Sequence, residues 1–423
     1  MPRKLVVMKF GGTSLATPAR IRAAARRIAR ERMRGWDALA VVSARGSATD
    51  DLLADAAKLA KHPAPREIDA LLATGEQASA ALLALALEAI GCRARSVTAH
   101  QIGILTDDNH RAAKIRAIDP RPLRRVLAAG AVPVVTGFIA VDAGGSITTM
   151  GRGASDKTAV VLAAVLKAKR CEIYTDVKGV YTADPNVVPD ARRIPALSHE
   201  EMLEFAAMGA RVMHAGAVEW GQRFGVPIDV RSAFSPAKGT RIGTVSPSRL
   251  SSRMAGLDRS TVHGAASDED WARITLHGLP DLPGRAASIF EAVARDRINV
   301  DMILLNVPQG GFSDLSYTVL KTDLPKALAN VRRIHRRLGV KAVSFDERIA
   351  KVSIVGLGMQ DHYGVAARML RALAKAGINV QAISTSEIKV SCIVPEADGA
   401  RGLKVLHQAF QLRRRPKALA AGA

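Results

Sequence analysis

Residues 5–14 read LVVMKFGGTS, a β-rich apolar run that stops at two glycines. Outward from it, short β-rich runs alternate with helical patterns as far as about residue 240, the pattern of a parallel sheet with covering helices. The strands expected are Leu5–Phe10, Leu39–Val42, Val132–Thr136 and Cys171–Thr175. Between the first two, Ile21, Ala25 and Ile28 share one helical face while Arg22, Arg26 and Arg30 recur on another. Those arginines read first as a solvated helix face, with a nucleic-acid stripe as the alternative.

The chain has 423 residues, more than one hydrophobic core usually holds, so two or three domains are expected. Hydrophobic residues make up 48% and charged residues 24%, the composition of an ordered globular protein. Lys and Arg number 61 against 39 Asp and Glu, a formal charge of +22 that calls for anionic partners without choosing among them. Cys92, Cys171 and Cys392 lie far apart with no CxxC spacing, which favours free thiols in a reducing compartment over a zinc site. A cytoplasmic location follows as an expectation. Residues 1–10 are too short for a signal-peptide core, and the apolar stretches 80–90 and 159–168 fall short of the ~20 residues of a membrane span.

Residues 235–253, rich in Ser, Pro, Gly, Lys and Arg, read as a surface linker. Beyond them the chain repeats itself. GLPDLPGRAASIFEAVARDRINVDMI starts at Gly278 and GMQDHYGVAARMLRALAKAGINVQAI at Gly358, an offset of 80 residues that pairs Gly284 with Gly364 and Asn299 with Asn379. Each copy reads strand, polar loop, amphipathic helix, then further strands, at 300–305 and 315–320 in one and 380–383 and 388–394 in the other. Two βαββαβ units are expected, each with a sheet face or edge to pair. The boundaries implied are 1–240 for the first domain, 241–258 for the linker, 259–345 for the first small domain and 346–423 for the second with its basic tail.

Three glycine-containing turns follow strands in the first domain. In KFGGTS, residues 9–14, bare glycine backbone and Lys9 suit an anion, although the spacing is that of neither a Walker A loop nor a GxGxxG fingerprint. A structural tight turn with a surface lysine is the alternative. In TTMGRGASDKTA, from Thr148, Ser155 and Asp156 could simply cap a helix, but capping does not account for Arg152 between two glycines, placed to grip a carboxylate or phosphate. YTDVKGVYTADP, residues 174–185, offers Asp176, Lys178, Tyr181 and Asp184 in one loop, each equally suited to turn chemistry.

With VVSARGSATD (41–50), TGEQ (74–77) and EEMLEFAAMGARVMH (200–214), these segments resemble the motifs of the aspartate kinases, in that family's order. The paired repeats resemble the family's two C-terminal ACT domains. The resemblance covers nearly the whole chain. It implies a three-layer α/β/α amino-acid-kinase domain with a mainly parallel sheet, followed by two ferredoxin-like βαββαβ ACT domains. It also implies ATP and Mg²⁺ as cofactors, L-aspartate as phosphoryl acceptor, an amino-acid effector such as lysine or threonine, and a homo-oligomer formed through the ACT domains.

The chemistry can be argued beside the resemblance. A side-chain carboxylate of pKa about 3.9 is ionised at pH 7 and needs no general base. It needs positive charge and donors around the γ-phosphoryl group, because an anion must approach a triphosphate. The resemblance gives Lys9 the transferring phosphoryl group and Asp156 the organisation of the cations around it. Phe10, Gly11, Gly12, Thr175, Asp176, Tyr181, Arg211 and Val212 match nucleotide-contacting positions. Arg152 matches the clamp on an aspartate carboxylate and Glu76 the partner of its ammonium, with Thr49 and Ser155 completing the substrate site. Taken alone, Glu76 has the alternative reading of an acid near a helix N-terminus, answering the macrodipole. Asp281, Asn299, Val300 and Asp301, which offer polar groups and backbone amides at the strand-to-helix turn, are the candidate effector-binding positions.

Departures from the family pattern are Ala154 for a second glycine, Arg45 and Ala48 for residues commonly Met and Thr, Asn186 for a nucleotide-contacting arginine, Leu305 before Asn306 where many members have an effector-contacting glutamine, and Tyr363 for a proline. Two rivals stand against the kinase. A nucleic-acid-binding protein would account for the charge and the LRRRPK tail at 412–417, but aromatics are only 4% of residues, few for base stacking. A catalytically dead amino-acid sensor would not be expected to retain Lys9, Glu76, Arg152 and Asp156 together.

Overall fold

The structure, a computed structural model, describes residues 3–151, 153–208, 212–243, 262–357, 359 and 362–413. The chain divides into two compact units, Met1–Tyr181 with Arg193–Ala255, and Thr182–Arg192 with Gly256–Ala423. Of the linker expected at 241–258, residues 244–258 lie outside the described residues, as does the basic tail from 414.

The first unit is built on an eight-stranded sheet. Its order is Ala196–Leu197, Thr240–Ile242, Ile228–Ser232, Arg170–Thr175, Leu5–Phe10, Asp37–Val42, Val132–Thr136, Ala94–Val97. Every neighbouring pair is parallel except Ile228–Ser232 with Thr240–Ile242, which is antiparallel. All four strands expected from the sequence are present. Side chains alternate along Leu5–Phe10. Val6, Met8 and Phe10 enter a core with Ile21, Ala25 and Ile28 of the helix Pro18–Met33 and Ala80, Leu83 and Leu87 of the helix Pro65–Glu88. Val7 and Lys9 therefore face the other side of the sheet, where the helix Ala154–Val165 packs.

The helix Pro65–Glu88 is longer than the apolar stretch 80–90 suggested. Among the described residues it alone is long and apolar enough, by length and composition, to cross a membrane. Here it buries Asp69 and Glu76 within the unit. A second, four-stranded sheet (Ile115–Ile118, Ile104–Thr106, Ile139–Val141, Ile147–Thr149) completes this unit.

The second unit holds two antiparallel four-stranded sheets. Trp271–Pro280, Ile303–Leu305, Phe312–Leu320 and Ala342–Asp346, with helices Arg285–Arg295 and Leu324–Leu338, make one complete βαββαβ module. The other module uses Ile349–Val355, Ala382–Thr385 and Lys389–Pro395 with helices Val365–Lys375 and Gly399–Ala409. Its last strand comes from upstream. Gly264–Asp268 pairs antiparallel with Ile349–Val355, taking the place that Ala342–Asp346 holds beside Trp271–Pro280. A simple cut near residue 345 misses this exchange, because sequence order does not say which sheet a short strand joins.

Residues 182–192, which the alternating pattern keeps with the first domain, also pack in the second unit. Ala183 and Val188 enter a core with Val352, Leu373, Leu403 and Leu406. Thr182 Oγ1 lies 3.0 Å from His407 Nε2, and the Arg192 guanidinium donates to Leu412 O at 2.8 Å. The segment's short apolar residues are satisfied by that core and not by the first sheet.

Candidate active site

The six mutually parallel strands, from Ile228–Ser232 across to Ala94–Val97, all end on one edge of the main sheet, and the loops leaving them gather the chemistry. The chain runs from Leu5–Phe10 outward to one side and returns on the other at Arg170–Thr175, so the strand order reverses between these two neighbours. Such reversals leave a crevice at the C-terminal strand ends, where α/β sheets bind ligands.

Lys9 is the penultimate residue of its strand. Its Nζ lies 2.7 Å from Asp156 Oδ1, the side chains being only 12% and 9% exposed. Asp156 stands in the first turn of Ala154–Val165, whose N-cap is Gly153 with no side-chain cap. The capping alternative for Ser155 and Asp156 is therefore not realised; both are buried inside the helix start. Gly153 has φ +74°, and a Cβ there would stand 2.7 Å from the His214 ring, so only glycine lets this helix begin where it does. His214 also donates its backbone N–H to Asp156 Oδ2 at 3.4 Å, and burial holds its imidazole below the usual histidine range.

Glu76 sits in the middle of Pro65–Glu88, which removes the macrodipole alternative. Its Oε1 accepts the Ala44 N–H at 3.0 Å, while Oε2 is buried with no hydrogen-bond partner among the described residues. Burial pushes its pKa up to about 7, against the pull of the Ala44 N–H. Ala44 joins this acid to the first glycine turn: a Cβ on Gly12 would stand 2.6 Å from Ala44 O. Gly11 donates its N–H to Tyr174 O at 3.2 Å, so it contributes shape beside Lys9 and not a free donor. Lys9, Gly11, Gly12, Glu76 and Asp156 thus form one contiguous group.

The remaining positions are placed as follows. Thr49 is half-buried in the first turn of Ala48–Leu59. The Phe10 ring stacks on Tyr174 at 4.9 Å in the opposite core, which leaves it only its backbone for a ligand. Thr175 ends its strand and donates its hydroxyl to Asp176, which is exposed; Tyr181 is half-buried and bridges to Arg193; Val212 is half-buried. Arg152 and Arg211 lie outside the described residues. In the second unit Asp281 and Asn299 are exposed and Val300 packs on the module core. Asp301 Oδ2 is 2.7 Å from Nζ of the buried Lys351, which also lies over the Trp271 ring.

Sequence reasoning passed over His214 and Asp69. Asp69 is fully buried two helical turns before Glu76, and a second acid seven residues away on an apolar helix face was the available signal. Among the described residues no three His, Cys, Asp or Glu side chains converge to hold a metal ion. The group can therefore neutralise and orient an anion with Lys9 and hold an ammonium against Glu76. Asp156 is engaged by Lys9 and unsuited to act as a base.

Residues 4–232 match the amino acid kinase family and residues 352–410 the ACT domain. The chain is 43% identical over 411 residues to an aspartokinase of Mycolicibacterium smegmatis, covering 96% of both chains. It is 44% identical over 408 residues to one of Pseudomonas aeruginosa, covering 96% of this chain and 98% of that one. In fold it matches E. coli aspartokinase III in complex with aspartate and ADP, with a TM-score of 0.79, 24% identity and coverage of 96% and 99%. Aspartate kinase from Synechocystis matches with a TM-score of 0.54 and 38% identity over 99% of this chain and 71% of that one. One cation and two buried acids gathered at the strand ends, a C-terminal ACT match and these relatives along nearly the whole chain lead to one conclusion: the chain belongs to the aspartokinases, phosphotransferases whose acceptor is a carboxyl group.

Proposed function

We propose that the chain transfers the γ-phosphoryl group of ATP to the side-chain carboxylate of L-aspartate. A carboxylate oxygen forms the new P–O bond, the bond from the γ-phosphorus to the β–γ bridging oxygen breaks, and ADP leaves with that oxygen, giving 4-phospho-L-aspartate. The observation that carries this reading is the buried Lys9–Asp156 pair at the strand ends, a cation held in place before the substrates arrive. Lys9 then faces the γ-phosphoryl oxygens, Arg152 and Glu76 take the carboxylate and ammonium of aspartate, and Thr49 and Ser155 line the same site. Thr175, Asp176, Tyr181, Arg211 and Val212 serve the nucleotide. With no cluster of three such ligands among the described residues, the donor set suits Mg²⁺ brought by the triphosphate, most of its ligands then being phosphate oxygens and water.

The proposed setting is the cytoplasm, with free Cys92, Cys171 and Cys392 in keeping, at the first step toward lysine, threonine and methionine. Lysine or threonine is proposed to act at the ACT modules through Asp281, Asn299, Val300 and Asp301. Assembly through these modules is supported by the edge strand Ile303–Leu305, where Ile303, Leu305 and nearby Val307 are exposed. Purified protein supplied with ATP, Mg²⁺ and L-aspartate should form an acyl phosphate that hydroxylamine traps. Equal yields from L-glutamate or N-acetylglutamate would reject the acceptor.

A further inference from the structure

Asp69 is fully buried, and four donors converge on it. Its Oδ2 lies 2.9 Å from His110 Nδ1 and accepts the N–H groups of Arg111 and Thr149, each at 3.0 Å. Its Oδ1 accepts the Thr149 hydroxyl at 2.6 Å. One side chain on the helix Pro65–Glu88 therefore ties down two segments that are distant in sequence, 110–111 and the end of the strand Ile147–Thr149.

Both segments border the same turn. Thr149 leads through Met150 into Gly151, Arg152 and Gly153. The Arg111 carbonyl oxygen lies 3.6 Å from where a Cβ on Gly151 would stand, and Ala113 donates its N–H to Thr149 O at 3.0 Å. Arg111 itself has φ +71°, a left-handed conformation that costs a non-glycine residue energy and persists only where its surroundings hold it. Phe138, with φ +70°, is held nearby: its carbonyl accepts the Met150 N–H and its own N–H donates to Thr158 of the helix that Gly153 begins. Of five described non-glycine residues with positive φ, these two flank this turn. Strained backbone on both sides of a loop, with a buried carboxylate holding one side, is the construction of a fixed positioning device.

We propose that Asp69 is a positioning residue that holds Arg111 and Thr149 at the border of Gly151 and thereby shapes the aspartate side of the site, to which Arg152 is assigned. This rests on the assignment of Arg152 as the clamp on the substrate carboxylate. Asp69 touches no substrate. Its effect passes through Thr149 and Arg111, so its loss is felt by aspartate and not by the nucleotide, whose proposed contacts lie on the loops leaving Leu5–Phe10 and Arg170–Thr175 and at 211–212.

The test compares Asp69→Asn, Thr149→Val, Thr149→Ser and Arg152→Ala, each full-length, by initial rates in both substrates and by thermal midpoint. Asp69→Asn and Thr149→Val should raise KM for aspartate about tenfold or more while KM for ATP stays within about twofold, and Thr149→Ser, which keeps the hydroxyl, should stay near the parent. If Asp69→Asn fails to fold, the Thr149 pair decides alone. A folded Thr149→Val with unchanged KM for aspartate overturns the proposal, as do equal rises in both KM values that track lost stability. An Arg152→Ala variant with unaltered KM for aspartate overturns the clamp assignment beneath it. A raised KM in that variant beside a normal Thr149→Val rejects the role of Asp69 alone.

Discussion

Lys9 Nζ and Asp156 Oδ1 meet at 2.7 Å across the face of the sheet opposite the Phe10 core, the lysine on the central strand and the aspartate in the first turn of the helix covering it. Parity along Leu5–Phe10 puts the ammonium on that face, and the glycine start of Ala154–Val165 puts the carboxylate beneath it. Such a pair is expensive to break on one side and cheap to remove whole.

Lys9→Met should therefore do two things. It should lower turnover by about 10²–10³-fold by removing charge from the developing transition state. It should also destabilise the first unit by roughly 3 kcal/mol, because Asp156 is left buried and unpaired. The double variant Lys9→Met with Asp156→Asn should recover most of the stability and none of the turnover. Urea unfolding followed alongside initial rates distinguishes the two effects. Equal stability loss in single and double variants would show that the pair is not coupled.

Glu76 makes a prediction in pH. Its folded pKa of about 7 stands above the ordinary value of 4.5, so it contributes stability that is complete below pH 4.5 and lost as pH rises through 7. Glu76→Gln should abolish that loss and be the more stable protein at pH 8 by about 3 kcal/mol. Only the ionised acid attracts an ammonium, so KM for aspartate should fall in the parent as pH rises from 6 to 8 and remain high and flat in the variant. Parallel pH profiles in the two proteins would deny Glu76 this role.

Gly153→Ala meets both a left-handed backbone and the His214 ring. A loss of about 2–3 kcal/mol and of at least about tenfold in kcat/KM is expected, as the helix start shifts under Asp156. Adding His214→Ala should return the part due to the clash and leave the part due to φ. Complete recovery by the second change would mean that the backbone conformation carries no cost.

Asp301, a candidate effector position, neutralises Lys351, whose side chain is 2% exposed. Asp301→Ala should destabilise the second unit by about 3–5 kcal/mol with no effector present, and Asp301→Ala with Lys351→Met should regain much of it. Calorimetry without added amino acids reads this directly. An Asp301→Ala protein as stable as the parent would leave the ion pair without a structural role.

Much of this architecture could be read from the chain. Apolar β-rich runs marked the central strands to within two residues, and the 80-residue offset placed the helices Arg285–Arg295 and Val365–Lys375 in register. Lys9, Glu76 and Asp156 were legible because glycine turns and isolated charges interrupt apolar patterns at strand and helix ends. What escaped was decided by tertiary choice. Gly264–Asp268 carries nothing local to say that it joins the later module, and residues 182–192 follow a strand of the first sheet yet find their apolar partners in the second unit. Asp69 was hidden because its partners, His110, Arg111 and Thr149, are 41 to 80 residues away.

The central claim concerns which oxygen attacks phosphorus. L-Aspartate carrying ¹⁸O in both side-chain carboxyl oxygens, incubated with ATP, Mg²⁺ and the protein, is treated with hydroxylamine, and the released phosphate is weighed by mass spectrometry. Attack by the side-chain carboxylate places one ¹⁸O in each phosphate released, and Lys9→Met should form that labelled phosphate about 10²–10³-fold more slowly. Phosphate without label, or label arriving only from an α-carboxylate marked instead, would contradict the account.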